Sequence, residues 1–525
     1  MGYYLNPGNS SFRETIRSRI YVDKTNLIAW INRLLNTKEK FVCVSRPRRF
    51  GKTVTLEMLA AYYSCGCNSA DLFRGLGIES DETYQEHLNQ YDVLFLNMQQ
   101  FLSEASSEKL TDYLVQEVLR ELRKEYGGIL EGQNLGLAAA LREIFVETGR
   151  QFVFLIDEWD CVMREKQETE DIQRRYLDFM RSLLKDQSYV ALAYMTGILP
   201  VKKYGSHSAL NMFYEYSMTD QKELEEYTGF TEKEVKELCD RFGMDFQEMG
   251  RWYDGYVFKN VRHVYNPRSV VEAMRCRDFS GYWVSTETYE ALKIYMDMDF
   301  DGLRTDMVQM LGGNRIRVNT RSFQNDMWTF KTKDDVLTLL IHLGYLAYDS
   351  GKKETFIPNK EIMGEFETSM SVSGWKEVMR VLKASEELLG ATLACDEKRV
   401  ASGLDKAHSE AASILTYNDE NSLACAISLA YYSARKDYML IREFPAGRGF
   451  ADIVFLPLSA TGKPALVVEL KYDKTARAAI EQIKDRKYTQ ALEGYRGEIL
   501  LVGINYDRED RNKPHHCIIE RLEKP

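Results

Sequence analysis

Residues 41–53 read FVCVSRPRRFGKT and decide how the N-terminal part of the chain folds. A short apolar run is followed by a basic loop and then by the helical pattern VTLEMLAAYYS. A loop at a helix N-terminus presents backbone N–H groups and a positive dipole to an anion. Lys52 is placed to reach the β- and γ-phosphates of a nucleotide, and the Thr53 hydroxyl to ligate Mg²⁺. The pattern is GxxxxGK[ST] with Arg46 in place of the first glycine, which weakens the bare match.

A second segment, FVFLIDEWD at 152–160, supplies the other half of such a site. Its apolar strand ends at Asp157 and Glu158, and two acids at this point suit Mg²⁺ coordination and the activation of an attacking water. The alternative is that Asp157, Glu158 and Asp160 form a solvated helix cap. Because a strand–loop–helix GKT is followed by a strand ending in DE, the combination favours nucleotide binding.

Three further residues are candidates for the same site, and each has a plainer alternative. Thr196 follows the apolar run YVALAYM, where it would sense the γ-phosphate or serve as a turn residue. Arg48 and Arg49 would contact phosphates or be solvated loop arginines. Hydrolysis is a weaker expectation than binding, because one sequence does not identify an arginine finger.

Between residue 41 and about residue 220, apolar strand-like runs alternate with amphipathic helical segments. Near-continuous apolar strands separated by helices indicate a parallel sheet covered on both faces, which is an α/β fold. The predicted strands are FVCVS (41–45), VLFLNM (93–98), FVFLID (152–157), YVALAYM (189–195) and MFYEYSM (212–218).

The sequence predicts four parts along the chain. The segment FTEKEVKELCDRFG reads as a helix with a Thr cap and an end at Gly243. Residues 334–362 read as a helix, a strand, a Gly-Lys-Lys turn and a second strand, an order that suits a winged helix. The predicted parts are an N-terminal P-loop domain (1–225), a helical lid (226–285), a middle region that includes the winged-helix element (286–370) and a C-terminal domain with helices and a second set of strands (371–525).

The bulk composition limits the possible classes of protein. A chain of 525 residues is too long for one ordinary core, and its 44% hydrophobic and 28% charged residues are typical of soluble globular proteins. No apolar stretch is long enough for a membrane span and the N-terminus lacks signal-peptide regions, so we expect a cytoplasmic protein without a membrane partner. The net charge of −10 argues against a broadly basic surface, but it leaves open a local basic groove or a metal site made of carboxylates.

A second constellation lies in the C-terminal quarter, where GRGFADIVFLP (447–457) and ALVVELKYD (465–473) flank a polar turn. Glu469 and Lys471 are two residues apart on a strand and therefore point to the same face. If the hairpin is centred near residues 460 and 461, positions whose numbers sum to 921 face each other, and Asp452 lies across from Glu469. Cross-strand neighbours are about 5 Å apart, close enough for two carboxylates to hold one divalent ion. Lys471 would then position a water or offset developing charge.

Other residues would support this site, although each has a structural alternative. Glu420 shares a helical face with core residues, where it would be a third acid or simply an acid at a helix N-terminus. Gln482 and Tyr488 are predicted on the helix after the second strand, as supports for Lys471 or as surface residues. A structural ion-pair cluster remains the alternative for the whole group.

These segments together resemble a two-part family of bacterial and archaeal proteins. Its members have an N-terminal AAA-ATPase-like domain and a C-terminal domain of the PD-(D/E)XK nuclease superfamily. In that family Arg46 is typical of the loop, so it counts for the resemblance. The resemblance rests on YVDKT (21–25), RPRRFGKT (46–53), LIDEWD (155–160), WYDGYVF with VYNP (252–267), IPNKEI (357–362), and the series of Glu420, ADIV, ELK and Gln482.

The resemblance implies roles for individual residues. The nucleotide site would consist of Arg46, Arg48, Arg49, Gly51, Lys52, Thr53, Asp157 and Thr196, with Glu158 polarising water. The nuclease site would consist of Asp452 and Glu469 as metal ligands with Lys471, Glu420 and Gln482. The implied cofactors are ATP and Mg²⁺, the implied partner is nucleic acid, taken as DNA, and homo-oligomers are known among AAA relatives. A nucleotide-dependent switch or scaffold that binds nucleic acid or protein without cutting is the alternative.

Overall fold

The structure is a computed structural model, and it describes most of the chain. The described residues are 2–164, 170–201, 210–283, 288–298, 300, 302–325, 327, 330–372, 375–411, 420–446, 449–458, 462–488, 492, 495, 497–507 and 515–522. Two compact units are present, one formed by residues 1–285 with 317–363 and the other by 286–316 with 364–525. The four-part division by sequence stays a prediction.

The strands in the described residues are β1 (Phe41–Ser45), β2 (Asp92–Asn97), β3 (Phe152–Asp157), β4 (Val190–Gly197), β5 (Tyr214–Tyr216), β6 (Phe230–Thr231), β7 (Val264–Tyr265), β8 (Ile316–Arg317), β9 (Ala347–Asp349), β10 (Glu354–Phe356), β11 (Tyr438–Ala446), β12 (Gly449–Pro457), β13 (Ala465–Tyr472), β14 (Ile499–Tyr506) and β15 (His515–Leu522).

The α-helices in the same residues are α1 (Ser10–Ile16), α2 (Asn26–Asn32), α3 (Lys52–Tyr63), α4 (Ala70–Phe73), α5 (Tyr84–His87), α6 (Met98–Glu104), α7 (Leu110–Glu125), α8 (Gly127–Leu130), α9 (Leu137–Thr148), α10 (Cys161–Arg164), α11 (Glu170–Leu184), α12 (Glu232–Phe242), α13 (Phe246–Tyr253), α14 (Pro267–Cys276), α15 (Thr288–Met296), α16 (Leu303–Leu311), α17 (Lys333–Leu343), α18 (Lys360–Val372), α19 (Lys376–Leu393), α20 (Glu397–Ala411), α21 (Glu420–Ala430) and α22 (Ala476–Asp485). None of these helices is long and apolar enough to cross a bilayer.

The first unit is built on a five-stranded sheet in the order β2-β3-β4-β1-β5, and all four strand pairs are parallel. The strands β1, β3 and β4 are buried along their whole length, as their apolar sequences predict. The fold is therefore the α/β class expected from the sequence. Because β1 lies between β4 and β5, the loop after β1 emerges beside the carboxyl ends of β4 and β3, which is where open α/β sheets bind ligands.

A small helical cluster follows the parallel sheet in the first unit. Helix α12 begins at a capping box in which the Thr231 side chain and Glu234 bond each other's backbone amides, and it ends at Gly243 with φ of +67°. Both ends are those predicted from the sequence. The cluster has its own apolar core, formed by residues of α12, α13 and α14 such as Leu238, Met249 and Met274.

A helix and a hairpin complete the first unit. Helix α17 is followed by β9 and β10, which pair antiparallel, as the order predicted for residues 334–362 requires. The segment after β10 runs against the WYDGYVF segment, where the Asn359 side chain donates to the Asp254 carbonyl at 2.7 Å. Gly255 has φ of +119°, and a Cβ built on it would lie 2.1 Å from the Pro358 carbonyl oxygen.

The second unit is built on a sheet in the order β11-β12-β13-β14-β15. Only β13 and β14 pair in parallel, and the other three pairs are antiparallel. The β12–β13 hairpin pairs Ile453 with Val468 and Phe455 with Leu466, so the register predicted from the turn is confirmed. Helix α22 packs closely on this sheet. A Cβ built on Gly503 of β14 would lie only 2.5 Å from the carbonyl oxygen of Ala476, the first residue of α22.

Substituting Gly255 tests the close approach between WYDGYVF and IPNKEI. We expect Gly255→Ala to lower the free energy of unfolding by about 2 kcal/mol or more, since the new Cβ meets backbone at a φ that L-residues rarely adopt. Thermal and denaturant unfolding of the full chain measure the effect. Gly250→Ala, inside α13 and with ordinary contact distances, is the matched control and should leave stability unchanged or raise it. Equal effects of the two substitutions would contradict this account.

Candidate functional site

The loop between β1 and α3 is shaped by two residues with positive φ. Gly51 caps the N-terminus of α3 with φ of +81°, and Arg49 has φ of +70°. A Cβ on Gly51 would meet nothing within 4 Å, so glycine is favoured there by its backbone conformation and not by space. The Arg46 amide donates to the Gly197 carbonyl at 3.0 Å, which fixes the start of the loop to the end of β4.

Lys52 is the first residue of α3, and its ammonium is held at the loop. Nζ donates to the carbonyls of Arg46 at 3.3 Å and Pro47 at 3.2 Å, and it lies 3.7 Å from Glu158 Oε1. Burial lowers the pKa of Lys52, and the nearby carboxylates of Glu158 and Asp157 oppose that shift. A buried ammonium that is hydrogen-bonded mainly to neutral carbonyl oxygens can exchange them for an anionic acceptor, which binds it more strongly.

Asp157 joins three elements of the sheet edge. Its Oδ2 accepts from Thr53 Oγ1 at 2.7 Å and its Oδ1 accepts from Thr196 Oγ1 at 2.6 Å. Burial raises the pKa of Asp157, and the two hydroxyl bonds act in the opposite direction. The structure thus brings together a carboxylate and two hydroxyls, which are oxygen ligands of the kind that Mg²⁺ takes. Thr196 lies inside β4 and not just past its end, because β4 is longer than the apolar run alone.

Glu158 adopts φ of +52° directly after β3 and carries an ion pair that the sequence did not reveal. Its Oε2 accepts from Arg164 Nη2 at 2.5 Å. Asp160 is fully buried and its Oδ2 accepts from the amides of Ile198 and Leu199 at 3.0 and 2.8 Å. Asp157 is equally buried, so the alternative of a solvated helix cap does not describe these two acids.

The three loop arginines have different environments. Arg46 is buried, and among the described residues its Nε and Nη2 atoms have no hydrogen-bond partner. Arg48 is exposed, and its carbonyl oxygen lies 3.4 Å from the Trp283 indole nitrogen. Arg49 donates through Nη1 to the Tyr282 carbonyl at 3.0 Å. The structure therefore connects the two arginines at the loop tip to the segment that ends the helical cluster.

A buried carboxylate supports that segment. Glu361 is 3% exposed, and it accepts from the amides of Tyr282 at 2.6 Å and Trp283 at 2.9 Å and from Ser269 Oγ at 2.7 Å. Burial raises the pKa of Glu361 to about 7 even though these three donors lower it. Glu361 lies in IPNKEI, but its partners are far away in sequence and only the fold reveals them.

The C-terminal candidates meet on one face of the second sheet. Asp452 Oδ2 accepts from the Leu470 amide at 2.7 Å, which anchors β12 to β13 next to Glu469. Lys471 Nζ donates to Glu469 Oε1 at 3.0 Å. Sequence alternation and the observed register therefore place Asp452, Glu469 and Lys471 together.

Glu469 is the most perturbed acid of this group. It is 1% exposed, and burial, followed by the charge of Asp452, raises its pKa to about 7. Its Oε1 accepts from both Lys471 and Gln482, whereas its buried Oε2 has no hydrogen-bond partner among the described residues. One oxygen of a carboxylate without a donor, beside a second carboxylate, fits a cation ligand.

The supporting residues are placed as follows. Gln482 lies on α22 and also contacts the Tyr488 hydroxyl at 3.1 Å. Tyr488 follows α22 instead of lying on it, because the helix ends at Asp485. Glu420 is the first residue of α21, but its side chain lies outside the described residues. Among the described residues, no group of three or more His, Cys, Asp or Glu side chains is arranged to hold a metal, so a cation here would rely on Asp452 and Glu469 together with water and substrate oxygens.

The fold and the two sites define a class of protein with a P-loop ATPase-like α/β domain and a second α/β domain that carries a carboxylate–lysine site. Comparisons with known families agree with this class. Residues 7–206 match the family described as predicted AAA-ATPase, and residues 418–516 match the PD-(D/E)XK nuclease superfamily. The chain thus carries an AAA-ATPase-like domain and a PD-(D/E)XK nuclease superfamily domain, and the resemblance inferred from the sequence is confirmed.

Individual relatives are distant. An uncharacterized protein in the vnfD 5′ region of Azotobacter chroococcum mcd 1 is 27% identical over 284 residues, and the match spans 51% of each chain. A Walker-type ATPase of Pyrococcus abyssi has 13% identity and a TM-score of 0.36, covering 66% of this chain and 97% of its own. The Aeropyrum pernix ORC2 protein has 8% identity and a TM-score of 0.30, covering 67% and 96%. TM-scores this low do not establish a common fold.

The raised pKa of Glu361 predicts how stability depends on pH. The folded state binds a proton on the Glu361 carboxyl more tightly than the unfolded chain does. The contribution of this proton to the free energy of unfolding is therefore full below pH 4.5 and is lost as pH rises through about 7. Glu361→Gln does not titrate. The stability of wild type relative to this variant should therefore fall by on the order of 3 kcal/mol across that range.

Denaturant midpoints of both proteins between pH 4.5 and 8 measure this difference. Glu147→Gln, at an exposed position of α9, is the control and should follow the wild-type pH profile. Parallel profiles for wild type and Glu361→Gln would show that Glu361 does not titrate as its burial requires.

Proposed function

We propose that the chain binds and hydrolyses ATP in its N-terminal domain and uses that cycle to control a Mg²⁺-dependent nuclease domain that cuts DNA, in defence or mobile-element biology. The choice of DNA follows from the nuclease superfamily, whereas the placement in defence or mobile-element biology follows from the family resemblance. A homo-oligomer that supplies an arginine finger is part of the proposal. The expected cytoplasmic location stays a prediction.

The nucleotide half of the proposal relies on residues at the sheet edge. Lys52 would exchange its two carbonyl acceptors for phosphate oxygens, a stronger anionic partner. Thr53 and Asp157, already 2.7 Å apart, would hold Mg²⁺. A bound Mg²⁺ would neutralise charge on the phosphates. Glu158 would orient the attacking water once its carboxylate is released from Arg164.

The nuclease half depends on one observation, the buried Glu469 whose Oε2 lacks a hydrogen-bond partner beside Asp452. Asp452 and Glu469 would hold a divalent cation between them. That cation would act as a Lewis acid and lower the pKa of a bound water. Lys471 would offset the negative charge that develops on the phosphodiester.

The alternative, a nucleotide-dependent switch or scaffold that binds nucleic acid or protein without cutting, also has an observation in its favour. Lys471 and Gln482 already satisfy Glu469 Oε1, and burial raises the pKa of Glu469 to about 7, so the neutral form is well populated near neutral pH. A group with these internal bonds would be stable as a structural element without metal. Activity measurements separate the two functions.

The ATPase assignment predicts different defects for Lys52 and Glu158. Lys52→Ala should weaken ATP binding at least tenfold, because it removes the ammonium that faces the phosphates. Glu158→Gln should keep ATP affinity within about threefold while phosphate release slows by about 10² or more. Arg120→Ala, at an exposed position of α7, is the control and should behave as wild type. Wild-type hydrolysis by Glu158→Gln would contradict the role given to Glu158.

The nuclease assignment predicts that Asp452→Asn and Lys471→Ala each lower Mg²⁺- or Mn²⁺-dependent cleavage by about 10² or more. Single- and double-stranded DNA and RNA are incubated with the full chain in the presence of ATP, and products are resolved on gels. Lys463→Ala is the matched lysine control, since its ammonium pairs with Asp437 at 2.6 Å beside the turn before β13. Cleavage that persists in both site variants rules out this site, and no cleavage by wild type on any substrate favours the switch.

A further inference from the structure

Asn505 is a buried polar residue on β14 that neither the sequence nor the resemblance singled out. The parallel register pairs Lys471 with Asn505 and Glu469 with Gly503. Paired residues of neighbouring strands lie about 4.8 Å apart and share a face. Because Gly503 has no side chain, Asn505 is the side chain of β14 that stands beside Lys471 on the face of the carboxylates.

The Asn505 side chain has an unused acceptor. The residue is 4% exposed, and its Oδ1 atom has no hydrogen-bond partner among the described residues. Buried amide oxygens without a donor are rare in folded proteins and call for a specific explanation. Along the register Asn505 lies between Lys471 on β13 and His516 on β15, and of these two side chains the Lys471 ammonium has three N–H donors and stands next to Glu469.

Lys471 needs a second partner if the neighbouring carboxylates hold a cation. At present its ammonium is paired with Glu469 Oε1, the oxygen that Gln482 also contacts. A divalent cation on Glu469 and Asp452 would cancel the charge that attracts the ammonium and would repel it. A neutral acceptor beside Lys471 would then keep the ammonium on the same face, close to the reacting phosphate.

We propose that Asn505 is a positioning residue, whose side-chain oxygen receives the Lys471 ammonium when a divalent cation occupies Asp452 and Glu469. The inference rests on the metal site of the proposed function. It assigns Asn505 an action through Lys471 and no contact with metal or substrate. Its loss should weaken cation binding, because the ammonium would stay on Glu469 and compete with the cation.

Mn²⁺ titration of the full chain by calorimetry, without nucleotide, tests the inference. The binding heat that wild type shows and Asp452→Asn lacks is assigned to this site. Asn505→Leu, of similar size but without an acceptor, should weaken that binding about tenfold, whereas Asn505→Asp should retain wild-type affinity or exceed it. The melting temperature without metal should not fall in Asn505→Leu, because the substitution removes an unsatisfied polar atom.

A double-substitution cycle tests the path of the effect. In a Lys471→Met background, Asn505→Leu should change Mn²⁺ affinity less than twofold, because the ammonium through which Asn505 acts is absent. Wild-type affinity in Asn505→Leu overturns the inference but leaves the metal site standing. The inference is also overturned, in favour of a structural role, if Asn505→Leu lowers both the melting temperature and the Mn²⁺ affinity and Asn505→Asp lowers them as well. Absence of any Mn²⁺ heat that depends on Asp452 overturns the metal site and the inference together.

Discussion

The hydrogen bonds from Thr53 and Thr196 to Asp157 are the interaction on which the arrangement of the N-terminal site depends. A buried carboxylate is costly unless its oxygens are bonded, and here the donors come from α3 and β4 while the acid ends β3. The observed strand order, with β4 between β3 and β1, brings these three elements to the same edge of the sheet. The hydrogen bonds of Asp157 and the strand order are thus consistent with each other.

The loop between β1 and α3 is also fixed from its outer side. Phe50 packs edge-on against Tyr256 with ring centroids 5.1 Å apart, and the Tyr256 hydroxyl donates to the Gly344 carbonyl at 2.7 Å. Pro47 leaves no space for a side chain at position 344, since a Cβ there would lie 2.8 Å from the Pro47 Cβ. The motif WYDGYVF, which contains Tyr256, therefore helps to hold the β1–α3 loop in place.

The sequence predicted features that follow from local patterns. Strand β3 and the ends of α12 were predictable because a run of apolar residues and capping residues are local features of the sequence. The register of β12 with β13 followed from the position of a single turn. The partners of Glu158 and Glu361 were not predictable. Arg164 lies six residues beyond Glu158 on a helix of one turn, and Ser269 lies 92 residues before Glu361, so only the folded chain brings these groups together.

Both candidate sites share one electrostatic arrangement. Glu158 is paired with Arg164 and approached by Lys52, and Glu469 is paired with Lys471. An acid that must later meet a phosphate or a metal ion has to be stable before its ligand arrives, and an internal cation provides that stability at low dielectric. Because breaking such a pair without a replacement leaves an uncompensated charge, each of the two acids can exchange its internal cation only for a partner that brings positive charge of its own.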